Sequence, residues 1–449
     1  MESLELFLTT VNKWLWGRWL VYVLLGLGIL YTFTNGFIQV RHFKFIIKKT
    51  LVDSFKTRND EKGSGSISTF KAMMVTLAGN VVGVATAVAA GGMGAVFWMW
   101  VAAFFGMALK YGEIVLSQLY RGKDSEGNLL SGPMYYIRDG LKAPWLGIVI
   151  AVLMCTKMMG ANLVQSNTIS GVLKSNYNVP TWLTGVILIC CLMAVVLGGL
   201  KRLANIATSL VPIMSIFYVA VGLLVILLNI QEVPGVFKEI FTQAFSMKAA
   251  AGGAGGYIIA RAMQYGITRG MYSNEAGEGT APFAHGSAIV DHPCEEGITG
   301  VTEVFLDTII ICSITAIVIG VTGIYQSDLS PAVMAIESFG TVWAPLKHLA
   351  TFALLLFCFT TLMGQWFNAA KSFTYAFGPK VTDKVRFVFP FLCIIGALTK
   401  ISLVWTIQDV AMGLVIIPNL IALIILFPQV REQTKDYFSN PKFYPQDKK

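Results

Sequence analysis

Long apolar stretches alternate along the chain with short polar gaps. Eleven stretches reach roughly membrane-spanning length, at 14–40, 67–91, 94–120, 143–174, 181–200, 203–230, 254–284, 297–324, 345–377, 386–404 and 405–429. A helix crosses the hydrocarbon core with about 20 apolar residues, so the pattern predicts an all-α integral membrane protein with eleven transmembrane helices. Two stretches are interrupted by polar residues and glycines. The first reads Asn80-Val-Val-Gly83-Val-Ala-Thr86-Ala87 and the second Asn274-Glu-Ala-Gly277-Glu-Gly-Thr280-Ala281, the same Asn-x-x-Gly-x-x-Thr-Ala pattern 194 positions apart. The same offset carries Glu113 onto Asp307, each in the apolar stretch that follows. Lipid cannot hydrogen-bond a free backbone, so a broken helix survives only where protein or a cavity receives it. Matching interruptions in two halves of a chain point to a carrier's binding site.

Without the first stretch ten remain, five and five, and the interrupted stretch opens each five. An odd number of crossings inverts the second five. The predicted architecture is one leading helix plus a 5+5 inverted repeat, with two broken helices facing each other at mid-membrane. The expected units are a leading helix and basic loop (1–62), a first repeat (63–235), a second repeat (236–430) and a tail (431–449). Short surface helices are expected near Gly132-Pro133 and Ser330-Pro331, with proline at a first helical position. Residues 63–69 read as a flexible lead into the first broken helix, with Ser68 or Thr69 as N-cap.

Composition agrees with this class. Hydrophobic residues make up 55% and charged residues 13% of the 449 positions, and the net charge is +9. The basic residues sit between apolar stretches rather than in a groove with stacking aromatics, so they speak for membrane topology and against nucleic acid. Arg41, Lys44, Lys48, Lys49, Lys56, Arg58 and Lys62 share one side with Arg121, Lys123, Arg138, Lys142, Lys201, Arg202, Lys371, Lys380, Lys384, Arg386, Arg431 and Lys435 if every stretch crosses once. That side is expected to be cytoplasmic. The N-terminus is then outside and the C-terminus inside, in a multi-pass protein of the cell membrane. The 291–296 gap departs from the rule, having no Lys or Arg. The first apolar run is too long for a signal peptide and lacks a small-residue cleavage site. Seven scattered cysteines show no CxxC spacing, so no disulfide or metal framework is expected.

The chemistry concentrates at the interruptions. Gly79 and Gly83 favour a break in Ala78-Gly79-Asn80-Val81-Val82-Gly83, or serve close helix packing. A break frees N–H groups that attract a carboxylate and C=O groups that attract a cation, and a zwitterionic amino acid carries both charges. In the second break Glu275 and Glu278 read as a proton carrier, a cation ligand, a partner of Arg261 or Arg269, or a structural ion pair. Gln165, Ser166, Asn167 and Thr168 form a polar stripe in the fourth stretch. Thr360 and Thr361 lie in the ninth, near Trp366 and Asn368. A threonine pair back-bonds to its own helix, or gives two oxygens to a hard cation such as Na⁺. Glu113 and Asp307 read as scaffold for freed N–H groups, or as transport groups. Residues 252–256, a glycine run, lack the strand–turn–helix setting of a phosphate loop. His285, His292 and Cys294 match no standard zinc spacing. No Ser-His-Asp arrangement or Walker motif is present, and neither an enzyme nor an ATP-driven pump is expected.

Three motifs carry a family resemblance: Gly91-Gly-Met-Gly-Ala-Val-Phe-Trp98, Gly132-Pro-Met-Tyr-Tyr136 and Gly270-Met-Tyr-Ser-Asn-Glu-Ala-Gly277. They closely resemble the alanine or glycine:cation symporters, over nearly the whole chain. The resemblance implies the LeuT-type fold and sodium-coupled uptake of a small neutral amino acid, alanine or glycine. It implies a sodium site of Gly79, Val82, Phe357, Thr360 and Thr361. It places substrate near Gly79, Asn80, Gly83, Ser273, Asn274, Ala276 and Gly277, with Thr168 and Gln165 closing one side. Thr86 stands where some LeuT-type relatives have an Asn side chain at a second sodium site, so a second sodium is not implied. The alternative is a proton-coupled carrier using Glu275 or Glu278. Membrane lipid is the expected surrounding, and no obligate protein partner is inferred.

Overall fold

The computed structural model describes residues 2–53, 67–77, 81–123, 127, 129–245 and 255–445. These residues are almost entirely helical. Among them the strand pairing is a two-residue ladder, Gly122–Lys123 with Leu129–Leu130, and a single bridge from Ile67 to Ala288.

Two helices, α1 (Glu2–Arg18) and α2 (Leu20–Thr34), make up the leading segment. The second apolar stretch is divided into α3 (Thr69–Thr76) and α4 (Val81–Gly91). Then follow α5 (Gly94–Tyr120), α6 (Pro144–Tyr177), α7 (Thr181–Val196), α8 (Gly199–Leu228) and α9 (Val233–Phe245). The seventh stretch is divided into α10 (Gly255–Asn274) and α11 (Ala281–His285). The eighth is α12 (Pro293–Val304), a π-helical turn Phe305–Cys312 and α13 (Ser313–Val321). The remainder is α14 (Pro331–Gly340), α15 (Ala344–Phe377), α16 (Pro379–Val388), α17 (Leu392–Leu398) and α18 (Ile401–Ser439).

All eleven predicted stretches are helical, yet among the described residues eight helical spans are long and apolar enough to cross a membrane. The difference has local causes. The 275–280 turn cuts the seventh stretch, a 3-10 turn with Pro390 cuts the tenth, and α7 has only 16 residues. Both proline-led short helices are present, at Pro133–Tyr135 and Pro331–Gly340. They are largely buried rather than on the surface. Ser68 caps α3 by accepting the Lys71 N–H at 3.3 Å. The flexible lead at 63–66 and most of the glycine run lie outside the described residues.

Packing sorts the helices around the two divided stretches. Helices α4 and α10 lie against each other and both contact α5. On the other side of the breaks α3 and α11 meet, and the Ile67 N–H donates to Ser287 O at 3.3 Å. Helix α15 packs on α6, α8, α11 and α14 and touches α3. Gly364 makes that last approach close, since an added Cβ there would lie 3.1 Å from Val75 O.

Candidate functional site

The second break is a tight turn between Asn274 and Ala281. Glu275, Gly277 and Gly279 take φ of 58°, 85° and 76°. Glycine adopts this region freely, but a glutamate there costs roughly 1–2 kcal/mol. Such strain persists only where surroundings over-determine it.

The surroundings are polar and closed. Glu113 of α5 accepts the Gly277 and Gly279 N–H groups at 3.2 and 2.9 Å. Asn419 of α18 donates to Gly277 O at 2.9 Å and also to Glu113 Oε1, and its own oxygen accepts the Tyr136 hydroxyl. Lys110 Nζ donates to Asn274 O at 2.8 Å. The freed peptide groups of this turn are thus held by side chains from α5 and α18. Glu113 fills its scaffold role, and Asp307 has a related one, accepting the Ser273 hydroxyl at 2.7 Å. Asn274 donates to Thr308 at 3.0 Å, and its side-chain oxygen accepts the Ala276 N–H. Ala276 and Gly277 face α5 and α2. Gly106 leaves only 3.1 Å between its would-be Cβ and Ala276, and a Cβ on Gly277 would meet Leu109 and Leu24 at 2.9 Å.

Charge at the turn departs from the expectation in one respect. The cation beside the glutamates is Lys157 of α6 rather than an arginine of α10. Lys157 lies 2.8 Å from Glu278 and 3.7 Å from Glu275, while the Thr280 hydroxyl donates to Glu275 at 2.7 Å. Arg261 lies over the Tyr265 ring, 5.6 Å from its centre. Arg269 makes a bidentate pair with Asp409 of α18 at 2.6 and 2.8 Å. Its guanidinium lies 4.2 Å from the Trp405 ring centre, and Trp405 meets Tyr272 edge-on. Arg269 leaves α10 toward α18, whereas the glutamates lie beyond the helix end and face α6.

A second buried cluster joins α3 to α11. His285 lies 2.7 Å from Glu296 and 2.8 Å from Glu303. Thr69 donates to Glu296 at 2.6 Å and Thr76 to Glu303 at 2.8 Å. Lys110 reaches Glu303 at 2.9 Å. Sequence reasoning misses Lys110, Lys157 and Asp409. Their signal is available, since an ionisable residue inside an apolar span is costly and marks a polar interior.

At the first break Gly79 and Asn80 lie outside the described residues. Val82 and Gly83 are buried in the first turn of α4, and Val82 O accepts the Thr86 hydroxyl at 2.7 Å. In α15 the Thr360 and Thr361 hydroxyls both donate to Phe357 O, at 3.0 and 2.8 Å. Thr360 Oγ1 also lies 3.8 Å from Met214 Sδ, and a hydroxyl oxygen that donates keeps its lone pairs. The pair sits one turn before Gly364 and its close approach to α3. Gln165 and Thr168 are buried on α6. Thr168 lines a separate recess with Asn167, Lys174 and Thr399.

A cavity of about 400 Å³ lies beside α15, lined by Trp366, Phe367, Lys371, Ser131, Ser287, Lys201 and Arg386. It lies on the face that carries the basic loops, while the Arg269–Asp409 pair stands on the far side of the breaks.

Broken helices with buried charges, inside a shell of long apolar helices, define an integral membrane transporter. The chain belongs to the sodium:alanine symporter family, whose model matches residues 1–448. It is 37% identical to the sodium/alanine symporter AgcS of Methanococcus maripaludis, covering 95% of this chain and 96% of that one. It is 35% identical to the probable sodium/glutamine symporter GlnT of Bacillus subtilis, over 98% of this chain and 92% of that one. The putative sodium/proton-dependent alanine carrier YrbD of the same organism is 33% identical, with coverages of 96% and 92%. Family and relatives are transporters, not enzymes. Among solved structures, a mutant manganese transporter of Eremococcus coleocola shares the fold, with TM-score 0.52 and 14% identity over 84% of this chain and 80% of that one.

Proposed function

We propose that the protein is a secondary active carrier that couples sodium entry to uptake of a small neutral amino acid, alanine or glycine. The observation that carries this reading is the pair of divided helices, α3/α4 and α10/α11, packed with opposite halves together. Such breaks place backbone N–H and C=O groups at membrane depth. At the second break Glu113, Asn419 and Lys110 already hold them, so backbone contacts to a zwitterion fall to the first break. Family membership and the relatives' names support the amino acid and the ion.

The substrate site we assign comprises Gly79, Asn80, Gly83, Gln165, Thr168, Ser273, Asn274, Ala276 and Gly277. Sodium, a co-substrate, is assigned to the carbonyls of Gly79, Val82 and Phe357 and the hydroxyls of Thr360 and Thr361. The proposed architecture is the LeuT-type 5+5 inverted repeat. Its support is the matched breaks and the third helices of the two fives, α6 and α15, each of 34 residues. With the basic face cytoplasmic, the cavity beside Trp366 opens inward and the Arg269–Asp409 pair closes the outer path. One sodium moving inward gains about 2.3 kcal/mol per 100 mV, enough for roughly 50-fold accumulation.

The test is uptake of labelled alanine into proteoliposomes under an imposed sodium gradient, with unlabelled amino acids as competitors to size the pocket. Uptake should require sodium, and Thr361→Val should weaken the sodium dependence far more than it weakens folding. Unchanged sodium-driven uptake by that variant refutes the ion site.

One observation favours a second reading, proton coupling. Glu275 and Glu278 share the single ammonium of Lys157, leaving one carboxylate charge that a proton would neutralise. Steep pH dependence with flat sodium dependence in the same assay selects it.

A further inference from the structure

Two buried ammonium groups in this protein are matched with carboxylates. Lys110 has Glu303 at 2.9 Å and Lys157 has Glu278 at 2.8 Å. Lys371 of α15 is the contrast. Its Nζ donates to Ser131 Oγ at 2.9 Å, to Phe283 O at 2.7 Å and to Ser287 Oγ, all neutral acceptors. It lies 4.9 Å from the Phe367 ring centre. Among the described residues no Asp or Glu pairs with it. Arg386 and Asp383, both on the cavity wall, face each other at 3.6 Å. A charge withdrawn from water is stabilised by an opposite charge, and the wall that presents Lys371 belongs to the cavity of about 400 Å³. Its other walls include Trp366, Phe367 and Ala370, which suit a small apolar side chain.

We propose that Lys371 is a carboxylate station in this cavity, which receives the carboxylate of the amino acid after it leaves the breaks. The identity of the guest rests on the amino-acid reading above. All three N–H donors of Lys371 are taken in this structure, so an anion of carboxylate shape displaces one serine hydroxyl to reach the ammonium, with its alkyl part against Trp366 and Phe367. It lies on the exit path, so it governs release and re-entry from the basic face rather than capture from the opposite face.

Two measurements on the full-length protein test this. The first needs no transport. N-hydroxysuccinimidyl acetate, used at micromolar level so that the acetate from its hydrolysis stays far below the added propionate, acetylates accessible lysines, and peptide mass spectrometry reads each site separately. Propionate, which has the carboxylate but no amine, should slow acetylation of Lys371 and leave Lys201 unchanged. Propionamide, which has the same shape but no carboxylate and no amine to consume the reagent, should protect neither. Absence of protection by propionate overturns the station, and so does equal protection by chloride or phosphate. The second measurement is inhibition of uptake by alanine on the basic face of sidedness-controlled proteoliposomes. Lys371→Gln should weaken that inhibition about tenfold, the value of one charge-assisted contact, and Lys371→Arg should restore most of it. Half-saturation from the opposite face should not move. If alanine is not carried but propionate still protects Lys371, the substrate reading fails and the station stands.

Discussion

Lys157 and Glu278 pair at 2.8 Å with neither side chain exposed, and Glu275 stands 3.7 Å from the same ammonium. Removing one partner of a buried pair leaves an uncompensated charge and costs about 3–5 kcal/mol. Lys157→Met leaves two carboxylates without a cation, whereas Glu278→Gln still leaves Lys157 with Glu275. Lys157→Met should therefore lower the thermal midpoint of the purified protein more. The double variant should recover part of the loss, and a cycle of the four proteins measures the coupling. Equal losses from both single changes would contradict the shared-ammonium geometry.

Glu113 holds the second break through two backbone N–H groups. Glu113→Ala strands both donors in a buried site, at about 1–3 kcal/mol each. Amide exchange across residues 277–279 should accelerate in that variant by an order of magnitude or more. Exchange in the middle of α5 should stay slow. Mass spectrometry of overlapping peptides resolves the two regions.

Arg269–Asp409 and Arg138–Asp139 are both bidentate pairs, but only the first is buried. An exposed pair contributes about 0–1 kcal/mol. Asp409→Asn should lower the unfolding midpoint clearly and Asp139→Asn hardly at all. Thermal denaturation in detergent at matched protein concentration makes the comparison.

Gly112 has no room for a side chain. An added Cβ would lie 2.1 Å from the Tyr31 ring, which is fixed by the Tyr31 hydroxyl donating to Leu423 O at 2.8 Å. Gly112→Ala should destabilise by about 1–3 kcal/mol through overpacking. Tyr31→Leu in the same protein should relieve much of that loss. Without the rescue, the cost would have to come from helix α5 itself.

The legible part of this chain is what lipid imposes. Apolar length locates the helical stretches, and polar residues within them locate both breaks. The offset that links Glu113 to Asp307 finds two carboxylates at the second break, Glu113 on the freed N–H groups and Asp307 on the Ser273 and Thr308 hydroxyls. Tertiary pairing is not legible. Arg269 stands a short way before Glu275 in the sequence, and that nearness suggests a glutamate partner. The direction in which α10 presents Arg269 decides otherwise, and Lys157 arrives from a helix far away along the chain. Continuity is also invisible, because the tenth stretch reads as one apolar run although the 3-10 turn at Pro390 divides it.

Thr69, Thr76, His285, Glu296, Glu303 and Lys110 enclose their charges among themselves. Helix α3 supplies the Thr69 and Thr76 hydroxyls to Glu296 and Glu303, and pulling it away from α11 would leave those buried carboxylates without two donors, at about 1–3 kcal/mol each. Separating the two half-helices is therefore costly, and α12 holds them together. Across the boundary with α15 the bridge is Lys371, which donates to Phe283 O and Ser287 Oγ.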